Sequence, residues 1–223
     1  MDNNFNEMIY SKSMPIDGVD KTRIDFILEN IPDENLKVLD IGCWDGSYAI
    51  RYKKTTNTVY GIESSETSAK KAESKGIIVE HGNFVEENFF KGLQFDVVIA
   101  GEIIEHVFDT DLFLQKIRKM LVLNGKLIIT TPNVASLPRR ILLLFGINPM
   151  LENRVIVGES VGHIRYFTFD DMDKILVDNK FKIIQSKSDV LNLNNKGTLY
   201  STWAPRIYKK VGRSVLICAL KTV

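Results

Sequence analysis

The sequence has few residues that could build a disulfide framework or a zinc site. Its 223 residues include only two cysteines and three histidines. Cys43 and Cys218 lie far apart in the chain, and neither has a C-x-x-C or Cys/His companion. We therefore expect reduced thiols, no cysteine-based zinc site and a cytoplasmic protein.

The chain also lacks an excess of charge of either sign. It has 29 Lys+Arg against 28 Asp+Glu, which gives a formal net charge of +1. Proteins that bind duplex nucleic acid usually carry a basic excess, so the net charge gives no support to nucleic-acid binding. No apolar run approaches the roughly 18 residues of a membrane span. Since the polar residues 1–15 also lack a signal-peptide core, we expect a soluble protein.

Short β-branched runs alternate with polar helical stretches, a rhythm typical of parallel βαβ units. The predicted strands are residues 37–41, 58–62, 77–80, 95–100, 126–131, 181–185 and 214–220. No clear crossover helix joins the last two, so we expect the final strand to be antiparallel to its neighbours. The pattern predicts one α/β domain over residues 1–223, with a doubly wound seven-stranded sheet.

Four segments make up this predicted domain. They are a lead-in helix (19–31), a core (36–133), an irregular connection (133–166) and the C-terminal strands (180–223). The connection contains an apolar patch, Ile141–Phe145, preceded by Arg139 and Arg140. We interpret the patch as a helix face packed on the domain, with peripheral lipid contact as the alternative. Core packing is likewise expected for Trp203 and Tyr208, with stacking on a sugar or aromatic acceptor as the alternative.

Residues suited to a nucleotide ligand follow three successive predicted strands. In open α/β sheets, ligands bind beyond the carboxyl ends of the strands. Gly42 and Gly46 let the chain turn sharply before a helix whose N-terminal amides face the ligand. Glu63 ends the next strand about 20 residues later, where an acid binds ribose hydroxyls. Asn83 and Phe84 follow the third strand and offer an amide and a ring to an adenine.

These residues resemble the class I S-adenosylmethionine-dependent methyltransferases, in particular their small-molecule branches (types 11, 12 and 23, and the ubiquinone and glycan enzymes). D-I-G-C-W-D-G at 40–46 resembles the first motif, D-x-G-x-G-x-G. F-D-V-V-I-A-G-E-I-I-E-H at 95–106 and L-V-L-N-G-K-L-I-I-T-T-P-N at 121–133 resemble the fourth- and fifth-strand motifs. The resemblance covers 36–133 and returns more weakly at 162–168.

The resemblance implies a three-layer Rossmann-like fold with strand order 3-2-1-4-5-7-6 and S-adenosylmethionine as the cofactor. The cofactor-binding residues that it implies are Asp40, Gly42, Cys43, Trp44, Gly46, Glu63, Ser64, Asn83, Phe84 and Gly101. Trp44 departs from the pattern because it replaces the middle glycine of the first motif. How the methionine end of the cofactor is held therefore stays open.

The same loop argues against a dinucleotide site. The G-x-G-x-x-G spacing of such a site would fall on Gly42, Trp44 and Ser47, so two of the three glycines are missing. No Asn/Asp-Pro-Pro-aromatic clamp follows the fourth strand, which disfavours methylation of nucleobase amines. The expected acceptor is a small molecule, a glycan or a quinone-like compound, with oxygen as the target. A non-catalytic cofactor-binding or regulatory protein is the main alternative, and an NAD-binding oxidoreductase is a weaker one.

His106 and His163 are the candidate catalytic bases. The alternatives are a helix-capping role for His106 and a loop position packed by Tyr166 for His163. Glu102 to His106 (E-I-I-E-H) superficially resembles the metal motif H-x-x-E-H, but its first position is glutamate, so we expect no metal. The connection 133–166, helped by the region around Trp203, is predicted to cover the acceptor, with hinges at Gly146, Gly158 and Gly162.

Overall fold

The structure, a computed structural model, describes residues 18–31, 35–53, 57–150, 162–194 and 199–223. Its main sheet comprises β1 (Lys37–Ile41), β2 (Thr58–Glu63), β3 (Ile78–His81), β4 (Phe95–Gly101), β5 (Leu121–Pro132), β6 (Phe181–Lys187) and β9 (Ser214–Lys221). A separate short hairpin pairs β7 (Leu191–Asn192) with β8 (Tyr200–Ser201).

The order of the seven strands is β3-β2-β1-β4-β5-β9-β6. Strands β1 to β5 pair in parallel, whereas β9 is antiparallel to both β5 and β6. This is the predicted order once the small hairpin is set aside, so the predicted fold is confirmed. The order reverses between β1 and β4, and ligands bind at this switch point in doubly wound sheets.

The helices are α1 (Gly18–Asn30), α2 (Ala49–Tyr52), α3 (Glu66–Ser74), α4 (Thr110–Met120), α5 (Leu137–Leu144), α6 (Phe169–Asp178) and α7 (Trp203–Ile207). Two 3₁₀ turns lie at Ile104–His106 and Lys209–Val211. Helix α6 has no counterpart among the predicted elements. The sequence nevertheless contains a signal for the start of this helix, because Thr168 and Asp171 form a reciprocal capping box.

Alternating side chains of the central strands build two hydrophobic layers. On one face, Leu39 and Val98 pack with buried residues of α4 and α6 such as Phe113. On the other face, Val38 and Val97 belong to a cluster that includes residues of α1. Since successive strand residues point to opposite faces, the two-residue period of the sequence produces the three-layer arrangement directly.

The apolar patch at Ile141–Phe145 does not pack on the domain, so that interpretation is wrong. Leu144 is 81% exposed and Phe145 is 73% exposed. Helix α5 is held instead by polar contacts at its start: Arg139 donates to the Asn133 carbonyl and Arg140 to that of Lys210. The helix is thus attached through its first turn. The apolar side chains of its last turns are not covered by the residues that the structure describes.

Core packing of Trp203 and Tyr208 is likewise wrong. The two side chains are 69% and 51% exposed. Trp203 begins the short helix α7 and Tyr208 follows its last residue; within α7 only Pro205 is buried. Within the part of the chain that the structure describes, no helix is long and apolar enough to cross a membrane.

Candidate active site

The loop after β1 makes a sharp turn at the switch point of the sheet. The amides of Gly42 and Cys43 donate to the Ile62 carbonyl at 2.8 and 3.2 Å, which closes the loop against β2. Gly42 has a φ of +73°, and a Cβ there would lie 2.3 Å from Cδ1 of Ile103. Gly46 is also left-handed, with a φ of +76°. The turn therefore requires glycine at these positions for both backbone conformation and space.

Cys43 contributes its backbone to this loop, while its side chain is buried. A Cβ on Gly61 of β2 would lie only 2.5 Å from the Cys43 sulfur. Burial raises the pKa of the Cys43 thiol, since it disfavours the thiolate, and nearby Asp40 adds to this effect. Gly61 was not among the predicted site residues. Its signal is a glycine inside an otherwise β-branched strand, which often marks close approach of another segment.

Glu63 connects the end of β2 to the glycine loop. One carboxylate oxygen accepts a hydrogen bond from the Trp44 amide at 2.8 Å, and the other from the Ser65 amide at 2.9 Å. The Ser64 hydroxyl also approaches the carboxylate, at 3.4 Å. Burial raises the pKa of Glu63, although these hydrogen bonds oppose the increase. A carboxylate has about four lone-pair sites, so it keeps acceptor capacity for ligand hydroxyls.

Asp40 lies inside the sheet beside this carboxylate. It is paired with Gly61 on one side and Ile99 on the other, and its side chain is buried. Burial, together with the charge of Glu63, raises the pKa of Asp40 to about 8. A cationic ligand group beside the two acids would favour their ionised forms and so oppose this increase.

Trp44 takes the backbone conformation that glycine has in the resembling motif. Its φ is +49°, in the left-handed region that large side chains rarely adopt. Replacement of the middle glycine therefore keeps the shape of the loop and adds a half-buried indole beside the predicted methionine end. The strain that results is local and of the kind found at ligand sites.

The residues after β3 divide between the sheet edge and the core. Asn83 caps its own turn: its amide nitrogen donates to Glu86 at 3.0 Å and its oxygen accepts from the Val85 amide. The ring of Phe84 is buried and meets Phe113 edge-on at 5.4 Å. The structure thus gives Phe84 a packing contact in the core, and brings Asn83 to the edge where an adenine was predicted.

A second group of residues follows β4. Gly101 ends this strand, and Glu102 then adopts a left-handed φ of +57°. The Glu102 carboxylate accepts from the Thr130 hydroxyl at 2.9 Å and lies 3.4 Å from Arg23. The chain then enters the 3₁₀ turn Ile104–His106, which carries Glu105 and His106.

Glu105 is the buried centre of this group. Its side chain is 1% exposed, and one carboxylate oxygen accepts from the Thr131 hydroxyl at 3.0 Å. Its backbone carbonyl accepts from the amides of Ile164 and Arg165. Burial raises the pKa of Glu105 well above its usual range, and the nearby Glu102 charge contributes. Glu105 was not among the predicted site residues, because burial of one acid in this motif depends on the distant 162–165 segment.

The two candidate bases meet at Glu105. The nearest approach of His163 to the carboxylate is 3.9 Å, and the rings of His106 and His163 meet edge-on at 4.8 Å. His106 also bonds to the Gly162 carbonyl through Nδ1, at 3.2 Å.

Tyr166 is 39% exposed. The residues 151–161 of the predicted cover, Gly158 among them, lie outside the described residues.

A doubly wound sheet with a glycine turn and acids at successive strand ends defines the Rossmann-like class of nucleotide-binding folds. A profile of a methyltransferase domain family matches residues 19–186, well over half of the chain. The chain therefore belongs to this family, within the class I S-adenosylmethionine-dependent methyltransferases. This confirms the predicted family.

Individual proteins agree with this assignment. A ubiquinone biosynthesis O-methyltransferase of Bartonella quintana (strain Toulouse) is 29% identical over 139 residues, which are 55% of this chain and 56% of that protein. A solved S-adenosylmethionine-dependent methyltransferase of Listeria monocytogenes, itself described as putative, superposes with a TM-score of 0.68 at 18% identity, covering 93% and 100% of the two chains. A methyltransferase of Thermotoga maritima, described as a possible histamine N-methyltransferase, gives 0.67 at 19% identity, over 91% and 88%.

Proposed function

We propose that this protein transfers the methyl group of S-adenosylmethionine to a hydroxyl oxygen of a small molecule, glycan or quinone-like acceptor. The observation that carries the proposal is the adjacency of two sites at one sheet edge. The first is the glycine loop with Asp40 and Glu63; the second is the acid–histidine group after β4. Such adjacency suits a reaction in which cofactor and acceptor must meet in line.

The first site fits the nucleoside and amino-acid parts of the cofactor. Glu63 would accept hydrogen bonds from ribose hydroxyls, and Asn83 would face the adenine. The cationic ammonium and sulfonium groups would favour the ionised forms of Asp40 and Glu63. Cys43, Ser64 and Gly101 would contribute backbone or loop contacts. The sulfonium supplies an activated methyl group, so the protein needs to align the acceptor and exclude water.

The second site fits an oxygen acceptor. A hydroxyl attacks a methyl carbon well only as its proton is removed, and His106 and His163 are placed for that role beside the Glu105 carboxylate. The Bartonella relative, an O-methyltransferase of ubiquinone biosynthesis by name, supports oxygen and a quinone-like acceptor. The match spans just over half of each protein, so this acceptor is a proposal.

Two measurements test the cofactor and the reaction separately. Calorimetry should show S-adenosylhomocysteine binding at a single site, and a labelled-methyl assay over phenol, quinol and saccharide pools should yield a methylated product. Cofactor binding without transfer to any pool, cell extract included, would favour the non-catalytic alternative. Tight NADH binding without S-adenosylhomocysteine binding would favour the oxidoreductase and refute the proposal.

The connection 133–166 is proposed as the acceptor-side cover. It leaves the carboxyl end of β5, and its far end returns His163 to Glu105. Gly146 and Gly162 have φ values of +70° and +74° and suit hinge positions. Hydrogen exchange should slow in residues 133–150 and 162–166 when S-adenosylhomocysteine binds. Equal, full protection with and without ligand would show a static cap.

The exposed end of α5 supports peripheral contact with lipid or with a lipophilic acceptor. Leu144 and Phe145 are largely exposed and follow Arg139 and Arg140, an arrangement that suits an anionic interface. Leu144→Glu with Phe145→Glu should abolish co-sedimentation with phosphatidylglycerol vesicles. Val177→Glu, at another exposed apolar position, is the matched control. Absence of wild-type sedimentation would refute lipid contact.

The two buried free thiols support a cytoplasmic location.

A further inference from the structure

We propose that Glu105, His106 and His163 form a binding site for a divalent transition-metal cation of the Zn²⁺ type. Each residue offers one ligand atom, and these three atoms all lie within 4.8 Å of one another. The ligands come from the 3₁₀ turn after β4 and from the 162–165 segment, so only the folded chain assembles them. The sequence predicted no metal here because the first position of the E-I-I-E-H segment is glutamate, whereas the folded chain supplies the second histidine from the 162–165 segment.

The Glu105 carboxylate provides an independent reason for a cation. One oxygen, Oε2, accepts from Thr131, whereas Oε1 is buried and has no hydrogen-bond partner among the residues that the structure describes. A buried carboxylate oxygen without a partner is costly, and native proteins rarely keep one without a ligand, ion or water. Oε1 is also the oxygen nearest to Nε2 of His163, so it faces the imidazoles.

The ligand chemistry narrows the class of cation. Two imidazoles and a carboxylate form the protein ligand set of catalytic zinc sites, which keep a further position open. Imidazole nitrogen also favours Zn²⁺ and its neighbours over Mg²⁺ or Ca²⁺. With metal–nitrogen distances of about 2.0–2.1 Å, tetrahedral ligand atoms are about 3.3 Å apart. Small side-chain rotations would close the present group to that spacing.

Neighbouring groups already orient the ligands. If His106 donates from Nδ1 to the Gly162 carbonyl, its Nε2 is the nitrogen that would coordinate the cation. The amides of Ile164 and Arg165 donate to the Glu105 carbonyl and hold the backbone that carries His163 beside Glu105. A ring hydrogen bond such as that of His106 Nδ1 sets the tautomer and ring position of a metal-bound histidine.

The site deepens the proposed function and rests on it for its role. A cation with an open position lowers the pKa of a coordinated hydroxyl, so it would make the acceptor oxygen a better nucleophile at neutral pH. The histidines would then hold the cation, and the proton of the coordinated hydroxyl would pass to solvent water as the oxygen attacks the methyl carbon. Metal binding itself does not depend on the identity of the acceptor.

The test is metal binding by the intact protein, purified without a polyhistidine tag and stripped with chelator. Titration with Zn²⁺ alone should reach a single cation per chain, and Co²⁺ should give the intense visible absorption of a low-symmetry nitrogen–oxygen site. Glu105→Gln, His106→Ala and His163→Ala should each weaken binding by about tenfold or more. Glu105→Gln preserves the side-chain shape and the acceptor for Thr131. His81→Ala removes the remaining histidine, which bonds to Ser64 instead, and should keep full metal binding.

Each outcome has a distinct meaning. Substoichiometric Zn²⁺ with no Co²⁺ spectrum would overturn the metal site, as would equal losses in the His81 control and the three ligand variants. S-adenosylhomocysteine binding by the stripped protein, measured in parallel, keeps the proposed function intact in that case. Stoichiometric binding with turnover that is unchanged after metal removal would confirm the site and overturn its role in acceptor activation.

Discussion

The backbone amide of Trp44 donates a 2.8 Å hydrogen bond to the carboxylate of Glu63. This bond joins the glycine loop after β1 to the end of β2. Trp44 makes it from a left-handed backbone conformation, with a φ of +49°. A substitution of either residue should therefore change the position of the other.

Glu63→Gln should weaken S-adenosylhomocysteine binding by about 1.5–3 kcal/mol, the range for hydrogen bonds to a charged group. The amide keeps the size of the buried side chain, whereas alanine would also free the Trp44 and Ser65 amides. Calorimetry measures the affinity, and circular dichroism checks the fold. Unaltered affinity in a folded variant would mean that the ribose site lies elsewhere.

Replacement of Trp44 separates backbone strain from side-chain packing. Trp44→Gly and Trp44→Ala both remove the indole, but only alanine keeps the cost of the left-handed conformation, about 1 kcal/mol. We expect the glycine variant to be the more stable of the two in urea unfolding, by about that amount and against the usual order of these residues. A more stable alanine variant would show that the loop relaxes out of the left-handed region.

Asp40→Asn should stabilise the ligand-free protein increasingly as the pH rises. The pKa of Asp40 is about 8 in the folded protein against an ordinary value of 3.8, because burial disfavours its charge. Between these values the folded state binds more protons than the unfolded state, so the wild type loses stability as the pH rises. The difference in Tm between variant and wild type should grow from about pH 5 to about pH 8.

The control for this titration is Asp178→Asn, at the exposed end of α6. Its Tm difference from the wild type should stay flat across the same pH range. A flat difference for Asp40→Asn as well would place the Asp40 titration outside this window. The Asp40 variant should also bind S-adenosylhomocysteine less tightly above about pH 8, where the wild-type carboxylate is ionised and attracts the ammonium group.

Arg165 positions the histidine side of the acceptor site. Its guanidinium donates to the carbonyls of Val107 and Phe108, which fastens the 162–165 segment to the turn after β4. Arg165→Ala should speed hydrogen exchange at Ile164 and lower kcat by about tenfold, with cofactor affinity kept. Arg206→Ala, at an exposed position on α7, is the matched control. Unchanged exchange at Ile164 would show that its amide bond to Glu105 is sufficient.

The parallel part of the fold was predictable because its signals are local. Each strand of the β1–β5 series is a short apolar run that stops at a glycine, proline or acid, and two-residue alternation sorts its side chains to the two faces. The same logic located Asp40, Gly42 and Glu63, since parallel strands end at one edge. Helix α6 was missed although its capping box is local, because its ten residues follow an irregular stretch.

The acceptor side depends on tertiary contacts that the spacing of residues in the sequence does not reveal. His163 is 58 residues beyond Glu105 in number, and the two meet because backbone amides of 164 and 165 bond to the Glu105 carbonyl. Likewise, the apolar pattern at Ile141–Phe145 is the same whether a neighbour covers it or not. The exposure of α5 follows from the polar attachment of its first turn.

The sequence by itself determined the order of the strands, the family and the polar residues at the strand ends. These follow from the periodicity of apolar residues and from the residues that end each strand. Both signals extend over only a few residues. Only the tertiary structure decided that Glu105 is buried between Thr131 and two histidines, and that Trp44 adopts the conformation of a glycine. Burial and backbone strain are set by segments distant in the chain, so they emerge only when the layers pack.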